Sequence, residues 1–321
     1  MDEIVSNHIR SEDPKASGLN PAKSCRYALI TPARNEAAFI ELTIRAVVAQ
    51  TVKPLKWVIV SDGSTDGTDD IVKNYAVENS WIELLRMPER QERHFAGKVH
   101  AFNAGYELVR DIPYDFIGSL DADITFQEDY FELLLGKLTE NPRLGLAGTP
   151  FKEGTVSYDY RFVSIEHVSG ACQLFRRECF EDIGGYVPVK GGGIDHIAVL
   201  NARMKGWQTR TFTEKFCEHH RKMGTAERRQ VLAKFADGKL DYALGGHPLW
   251  ELFRSVYQIT KKPFFVGGAM ILAGYLWAMI RGVERPISPE VVRFRRREQM
   301  LRLRKLLTGL SRSTRQTRAR C

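Results

Sequence analysis

From Arg26 onward, short unbroken apolar runs alternate with longer stretches whose apolar residues recur every three or four positions. The first pattern belongs to a strand buried on both faces, the second to a helix with one face on a core. Strands are predicted over Arg26–Thr31 (RYALIT), Trp57–Ser61 (WVIVS), Ile82–Met87, Phe116–Leu120 (FIGSL) and Leu144–Thr149. Helices fall between them, over Glu36–Gln50, Asp66–Glu78, Gly97–Arg110 and near Glu128–Thr139. The second helix opens among Ser, Thr and Asp residues, whose side chains cap exposed backbone N–H groups. A later strand is expected over Thr209–Cys217. This alternation argues for an α/β fold, a mostly parallel sheet with helices on both faces. Ligands of such sheets bind beyond the carboxyl ends of the strands. The polar residues just past each apolar run are therefore the candidates for chemistry.

The rhythm stops in the last third. Pro263–Ile280 (PFFVGGAMILAGYLWAMI) is 18 residues without a charge. As a helix it would extend about 27 Å, just under a hydrocarbon thickness of about 30 Å. Its glycines allow a kink. Trp250, Phe253, Val256 and Tyr257 just before it can form the apolar face of an interfacial helix. Charge sharpens this picture. The net charge of +8 is unevenly spread, because residues 281–321 hold 13 of the 47 Lys and Arg but 3 of the 39 Asp and Glu. The body before them is near neutral, which argues against nucleic acid as a partner. A basic tail beside an apolar run points to an anionic membrane surface instead. Lys261 and Lys262 precede the run and the basic tail follows it. Positive residues favour the cytoplasmic side, so a re-entrant or interfacial segment fits better than a single span.

The expected organisation is a disordered polar N-terminus (1–24), an α/β domain (25–235) and a C-terminal helical membrane-associated region with a basic tail (236–321). Met1–Lys23 lacks the apolar core of a secretory signal peptide. Cys25, Cys172, Cys179, Cys217 and Cys321 form no CxxC pair and are odd in number. They read as reduced thiols of a cytosolic compartment. With the tail, this places the chain at the cytoplasmic face of the cell membrane.

Chemistry-bearing residues follow the strands. Thr31-Pro32-Ala33-Arg34-Asn35-Glu36 comes after the first, and Ser61-Asp62-Gly63-Ser64-Thr65-Asp66-Gly67 after the second. A carboxylate at Asp62, where a strand runs out into the crevice, can accept hydrogen bonds from a base or a ribose. Asp121-Ala122-Asp123 follows the buried run FIGSL. Two carboxylates one residue apart at a strand end can grip a divalent cation, and Mg²⁺ or Mn²⁺ shares its oxygen ligands with phosphates. Glu218-His219-His220-Arg221 ends the later strand. Either His219 or His220 could complete a metal shell or contact a diphosphate, and Arg221 or Lys222 could clamp phosphate oxygens. No GxGxxG follows the first strand, which argues against a nicotinamide dehydrogenase. The Gly-rich N-terminal loop of a sugar-nucleotide pyrophosphorylase is also missing.

The series PARNE, SDGSTDGT, GKVHAFNAG and DAD, in this order, resembles the family 2 glycosyltransferases with their A-type fold. The resemblance continues through Gly170–Tyr186 (GACQLFRRECFEDIGGY), similar to the family's acceptor-side segment, and through Asp195, eleven residues before Gly206. Ile194 departs from the Glu usual before that Asp. The resemblance covers Arg26 to Arg221. It implies an inverting transfer of a sugar from a nucleotide-diphosphate donor, with Mn²⁺ or Mg²⁺, to a glycan or lipid-linked acceptor. By the same resemblance Asp62 binds the base, while Thr31, Arg34 and Glu36 line the nucleoside pocket. Lys98 and Asn103 lie near the donor diphosphate and ribose. Asp121 faces ribose and metal, Asp123 coordinates the metal, and Asp195 is the general base. The competing reading is a non-catalytic nucleotide-sugar-binding or membrane scaffold protein on the same fold. Donor hydrolysis with and without Mn²⁺ separates the two.

Overall fold

The computed structural model describes residues 21–89, 95–153, 164–221, 227–261 and 264–318. The N-terminal segment expected to be disordered lies almost wholly outside them. β1 (Tyr27–Ala33), β2 (Lys56–Asp62), β3 (Ile82–Met87) and β4 (Phe116–Leu120) pair in parallel, in the order β3-β2-β1-β4. α1 (Ile40–Val48), α2 (Thr68–Glu78) and α3 (Ala96–Glu107) connect them. α1 begins at Ile40 rather than Glu36, because Glu36–Phe39 first makes a turn closed by Phe39 and Ile40 N–H groups on the Glu36 carbonyl.

β5 (Ile124–Thr125), α4 (Tyr130–Glu140), β6 (Leu144–Gly148) and β7 (Phe151–Lys152) come next. β8 (Cys172–Arg176) inserts antiparallel between β4 and β6, and α5 (Arg177–Asp182) and α6 (Ile194–Met204) follow it. β9 (Gln208–Thr211) closes the seven-stranded sheet as a parallel neighbour of β6. The single strand expected over Thr209–Cys217 is thus two. β9 ends at Thr211, the polar Thr213-Glu214 pair turns the chain, and β10 (Cys217–His219) joins a separate small sheet, β5-β10-β7.

The continuous apolar runs serve two cores. Alternate residues of a strand point to opposite faces. Tyr27, Leu29, Trp57 and Ile59 pack against Phe131 and Leu134, while Ala28, Ile30, Val58 and Val60 pack against Phe102 and Phe175.

The C-terminal third is α7 (Glu227–Ala243), α8 (Pro248–Ile259), α9 (Val266–Ile280) and α10 (Pro289–Arg318). The domain limit expected at 235 falls inside α7, since no helix breaker stands there. α9 runs unbroken through its glycines. They bring backbones together instead: a Cβ on Gly274 would overlap the Phe235 carbonyl of α7, and one on Gly238 would overlap the Ile271 carbonyl of α9. α10 caps the end of α7, with Arg295 donating to the carbonyls of Asp241 (3.1 Å) and Leu244 (2.7 Å). It meets α6 through the Arg203–Glu298 ion pair (2.5 Å). Among the described residues no helix is long and apolar enough to cross a membrane.

Candidate active site

β1 and β2 end side by side, so the loops after them meet. Asn35 stands in the left-handed backbone region (φ 55), which Asn tolerates better than most residues with a Cβ. From there its N–H donates to Ser64 Oγ (3.1 Å) and its Oδ1 accepts the Thr65 N–H (2.9 Å). The Glu36 N–H donates to Thr68 Oγ1 (2.8 Å) and the Ala37 N–H to Asp66 Oδ2 (3.0 Å). These bonds stitch the two motifs into one wall. Asp62, buried as the last residue of β2, faces the Arg34 guanidinium at 4.0 Å. Thr31 is elsewhere: it is fully buried and its hydroxyl accepts from the Trp57 indole (2.9 Å). Its side chain belongs to the core rather than to a nucleoside pocket, because β1 turns alternate residues inward.

The Asp121 N–H donates to the Ala171 carbonyl (2.9 Å), which pins this residue on the seam between β4 and β8. Its carboxylate is bonded to the Lys98 ammonium from the first turn of α3. Burial pulls the Lys98 ammonium pKa down, but Asp121 beside it more than offsets that, and the net shift is upward. Burial pushes the Asp121 carboxyl up, and the neighbouring Asp123 adds to this against the opposing pull of Lys98.

The small sheet positions the rest. β10 pairs antiparallel with β5, and the His220 N–H donates to the Asp123 carbonyl (2.9 Å). Strand alternation sends the two histidines to opposite sides. His219 Nε2 lies 3.5 Å from Asp123 Oδ2, whereas His220 Nε2 lies 2.9 Å from the Thr125 hydroxyl. The fold therefore brings His219 to the carboxylate pair and turns His220 away. Arg221 Nε lies 3.3 Å from Asp123 Oδ2, and its other arm is paired with Glu36. Burial lowers the Arg221 pKa, but Glu36 and Asp123 outweigh it and hold the guanidinium charged. Lys222 lies outside the described residues.

Two carboxylates and an imidazole are donors that suit Mn²⁺ or Mg²⁺. His219 Nδ1 is buried and makes no hydrogen bond, so the residues fit such an ion. Among the described residues, however, no three His, Cys, Asp or Glu side chains already form an ion-sized cluster. Lys98 and Arg221 lie against the carboxylates instead.

Asp195 sits in the first turn of α6, where the helix dipole favours a negative charge. One of its oxygens accepts the Gly170 N–H (3.1 Å). The eleven-residue interval to Gly206 measures this helix: α6 ends at Met204, and Gly206, in the left-handed region (φ 94), stops it. Ile194, beside Asp195, is buried in the core. Asp195, Lys98, Gly170, Gln173, Tyr186 and Ile194 line a cavity of about 10 Å³, room for about one water.

Arg34, Glu36, Asp62, Lys98, Asp121, Asp123, Asp195, His219 and Arg221 thus border one crevice or one another. Asn103 does not join them. It is exposed on α3, five residues beyond Lys98 and so about 140° around the helix. Sequence reasoning passed over two supports. Asn35 lies in the loop after β1, and an Asn at the entry to a helix is its signal in the sequence. Gln173 is fully buried, donating to the Val168 carbonyl (3.0 Å) and accepting from the Tyr186 hydroxyl (2.7 Å). A lone polar residue within an apolar strand marked it. The basic pair Arg176-Arg177 is structural: both guanidiniums bond to backbone carbonyls, including those of Leu144 (3.3 Å) and Arg110 (2.9 Å). Burial pushes the Cys217 and Cys179 thiols up to about 12, which makes both poor nucleophiles.

The model of glycosyl transferase family 2 matches residues 28–189. The chain is 25% identical over 170 residues to the poly-beta-1,6-N-acetyl-D-glucosamine synthase of Staphylococcus aureus (strain COL), covering 47% of this chain and 39% of that protein. It is 22% identical over 200 residues to the enzyme of the same name from Staphylococcus epidermidis, covering 55% and 43%. The chain spans less than half the length of these curated relatives. Among solved structures it is similar to the mannosyltransferase PcManGT from Pyrobaculum calidifontis in complex with GDP-Man and Mn²⁺, with a TM-score of 0.54 and 19% identity over 94% of this chain and 84% of that one. It is also similar to S. aureus TarS 1-349 in complex with UDP-GlcNAc, with a TM-score of 0.50 and 14% identity over 81% and 74%. At such identities the likeness establishes the A-type glycosyltransferase fold.

Proposed function

The chain belongs to glycosyl transferase family 2, and from that premise we propose that it is an inverting glycosyltransferase using a nucleotide-diphosphate sugar donor. The acceptor is a hydroxyl of a glycan or of a lipid-linked glycan, and the C-terminal helices hold the enzyme at a membrane. The observation that carries the catalytic reading is the gathering of Asp62, Asp121, Asp123 and Asp195 at one edge of the sheet, interleaved with Arg34, Lys98 and Arg221. A structural surface seldom collects so many part-buried carboxylates, whereas a site for a diphosphate and its counter-ions needs both signs of charge.

Asp62 accepts from the base, with Arg34 beside it. Asp121, Asp123 and His219 are the residues that would hold Mn²⁺ or Mg²⁺, an ion that neutralises charge on the departing diphosphate. Lys98 and Arg221 place positive charge where phosphate oxygens arrive. Asp195 takes the proton of the acceptor hydroxyl as its oxygen bonds to the anomeric carbon and the bond to the diphosphate breaks. No covalent enzyme intermediate is needed. The Gly170 N–H on one oxygen holds the carboxylate in one orientation, which favours an in-line approach.

A thermal-shift screen of GDP, UDP, ADP and CDP with Mn²⁺, Mg²⁺ or neither tests the donor site, because a bound ligand stabilises by mass action. One base should raise the melting temperature above the others, and more so with metal. Transfer or slow hydrolysis of the matching nucleotide sugar should follow. A protein that responds to no nucleoside diphosphate under any of these conditions would refute the proposal.

A further inference from the structure

We infer that α8 and α9 form a membrane-docking face that lies in the plane of an anionic lipid surface. α8 is built inside out. Its Glu251 and Ser255, 0% and 4% exposed, point into the protein, while Leu249, Leu252 and Val256, 54%, 49% and 56% exposed, point to solvent. The three leucine and valine positions recur at i, i+3 and i+7, so they share one helix face. A water-facing helix has the opposite arrangement. The polar interior is a built one: Glu251 faces Asp241 of α7, and Arg254 lies 3.6 Å from Glu251 and 3.7 Å from Asp241.

α9 continues the face. Its inward side is spent on the glycine contacts with α7 and α8. Its outward side is wholly apolar, with Val266, Leu276, Trp277, Met279 and Ile280 between 39% and 80% exposed. Phe264 and Phe265, at the turn between the two helices, are 54% and 72% exposed. Solvent contact with so much apolar surface on two packed helices and the turn joining them is costly, and it marks an interaction face.

The rim decides what covers it. Lys239 and Arg281 lie over the Trp277 ring, 4.6 and 5.9 Å from its centroid, and Lys261 lies 5.3 Å from that of Tyr257. The outward faces of α8 and α9 carry no acid. Aromatic rings beside cations with apolar stems suit the boundary between acyl chains and anionic headgroups. A second copy docking by two-fold symmetry would bring the same cations against their own images. At 15 residues α9 extends about 22 Å, short of a bilayer, so the face lies on the membrane rather than through it.

This inference rests on the membrane attachment proposed above and names the face and the lipid that make it, and its test leaves nucleotide binding untouched. The full-length protein is floated with phosphatidylcholine vesicles containing phosphatidylglycerol, and with phosphatidylcholine alone. The wild type should float with the anionic vesicles, and less well at high salt. Leu252→Ser with Ile280→Ser should lower the partition about tenfold per side chain removed. Its melting temperature and nucleotide shifts should stay those of the wild type, because both side chains already face outward. Lys239→Gln with Arg281→Gln should narrow the difference between the two vesicle types, the basic tail keeping part of it. A wild type that ignores both vesicles overturns the inference. So does a vesicle-indifferent dimer that the Leu252→Ser, Ile280→Ser variant converts to monomer, which would assign the face to a second copy.

Discussion

At the scale of single residues, Asp195 is distinguished from the other acids of the crevice by what surrounds it. Asp121 is bonded to Lys98, and Asp123 is flanked by Arg221 and His219. Asp195 has one backbone N–H on one oxygen, which leaves the other for a reactant's proton. Asp195→Asn should therefore keep nucleotide affinity while turnover falls about 10²- to 10⁴-fold. Isothermal titration beside a transfer assay measures both, and a parallel loss of affinity would reassign Asp195 to donor binding. Asp62, Asp121 and Asp123 could be placed at strand ends because each follows a recognisable apolar run, whereas Asp195, behind a glycine run, was picked out only through the family resemblance. The choice between His219 and His220 was not, since adjacent strand residues differ by 180° and only pairing with β5 decides which faces inward. Thr31 failed for the same reason, with Trp57 on the neighbouring strand claiming its hydroxyl.

At the scale of elements, the helices of the last third were read as an apolar run, and the polar filling beneath them was not visible. Glu251 reads as a surface residue until α7 and α10 are packed over it. Burial, and then the facing Asp241 carboxylate, push the Glu251 carboxyl up to about 9. The folded protein thus holds a proton that the unfolded chain gives up at ordinary carboxylate pH. The stability tied to that proton is complete below the unfolded pKa and is lost as pH rises through about 9. Asp241, held low by Arg295 and Arg254 against its burial, titrates in the opposite sense at acid pH. Glu251→Gln keeps a donor for Asp241 without the ionisable proton. Its melting temperature should vary less than that of the wild type between neutral pH and pH about 9, and it should equal or exceed the wild type at the alkaline end. Parallel slopes for the two proteins would show that Glu251 does not titrate in this window.

At the scale of the whole molecule, the C-terminal helices are not a detachable anchor. Arg295 closes the end of α7 and pairs with Asp241 (2.5 Å), and Glu298 reaches Arg203 on α6, the helix that begins at Asp195. Removal of residues 289–318 should leave Asp241 with Arg254 alone at 3.7 Å. The expected cost is about 3–5 kcal/mol, as for other broken buried pairs, read as a lower midpoint in urea unfolding. Truncation at 289 with an unchanged midpoint would mean that the two parts fold independently. The strand and helix order of the α/β half could be read from periodicity because its local pattern and its burial agree. The division at 235 could not, because the helix that crosses it is held by glycine contacts to a partner more than 30 residues away.

The Lys98–Asp121 and Arg221–Asp123 pairs have a consequence for how the site fills. Each of these carboxylates is balanced by a cation of the chain itself, which supports the fold whether or not metal is bound. Stripping divalent ions with a chelator should leave the melting temperature unchanged. An ion arriving by itself must dislodge the Lys98 ammonium from Asp121 or the Arg221 guanidinium from Asp123 and forfeit that ion pair. Arriving with a nucleoside diphosphate, it hands both of them phosphate oxygens to hold. The two ligands should therefore recruit one another, each raising the other's affinity by the same factor. Calorimetric titration of Mn²⁺ with and without the nucleotide measures that factor, and a value of one would mean that the cations never trade partners.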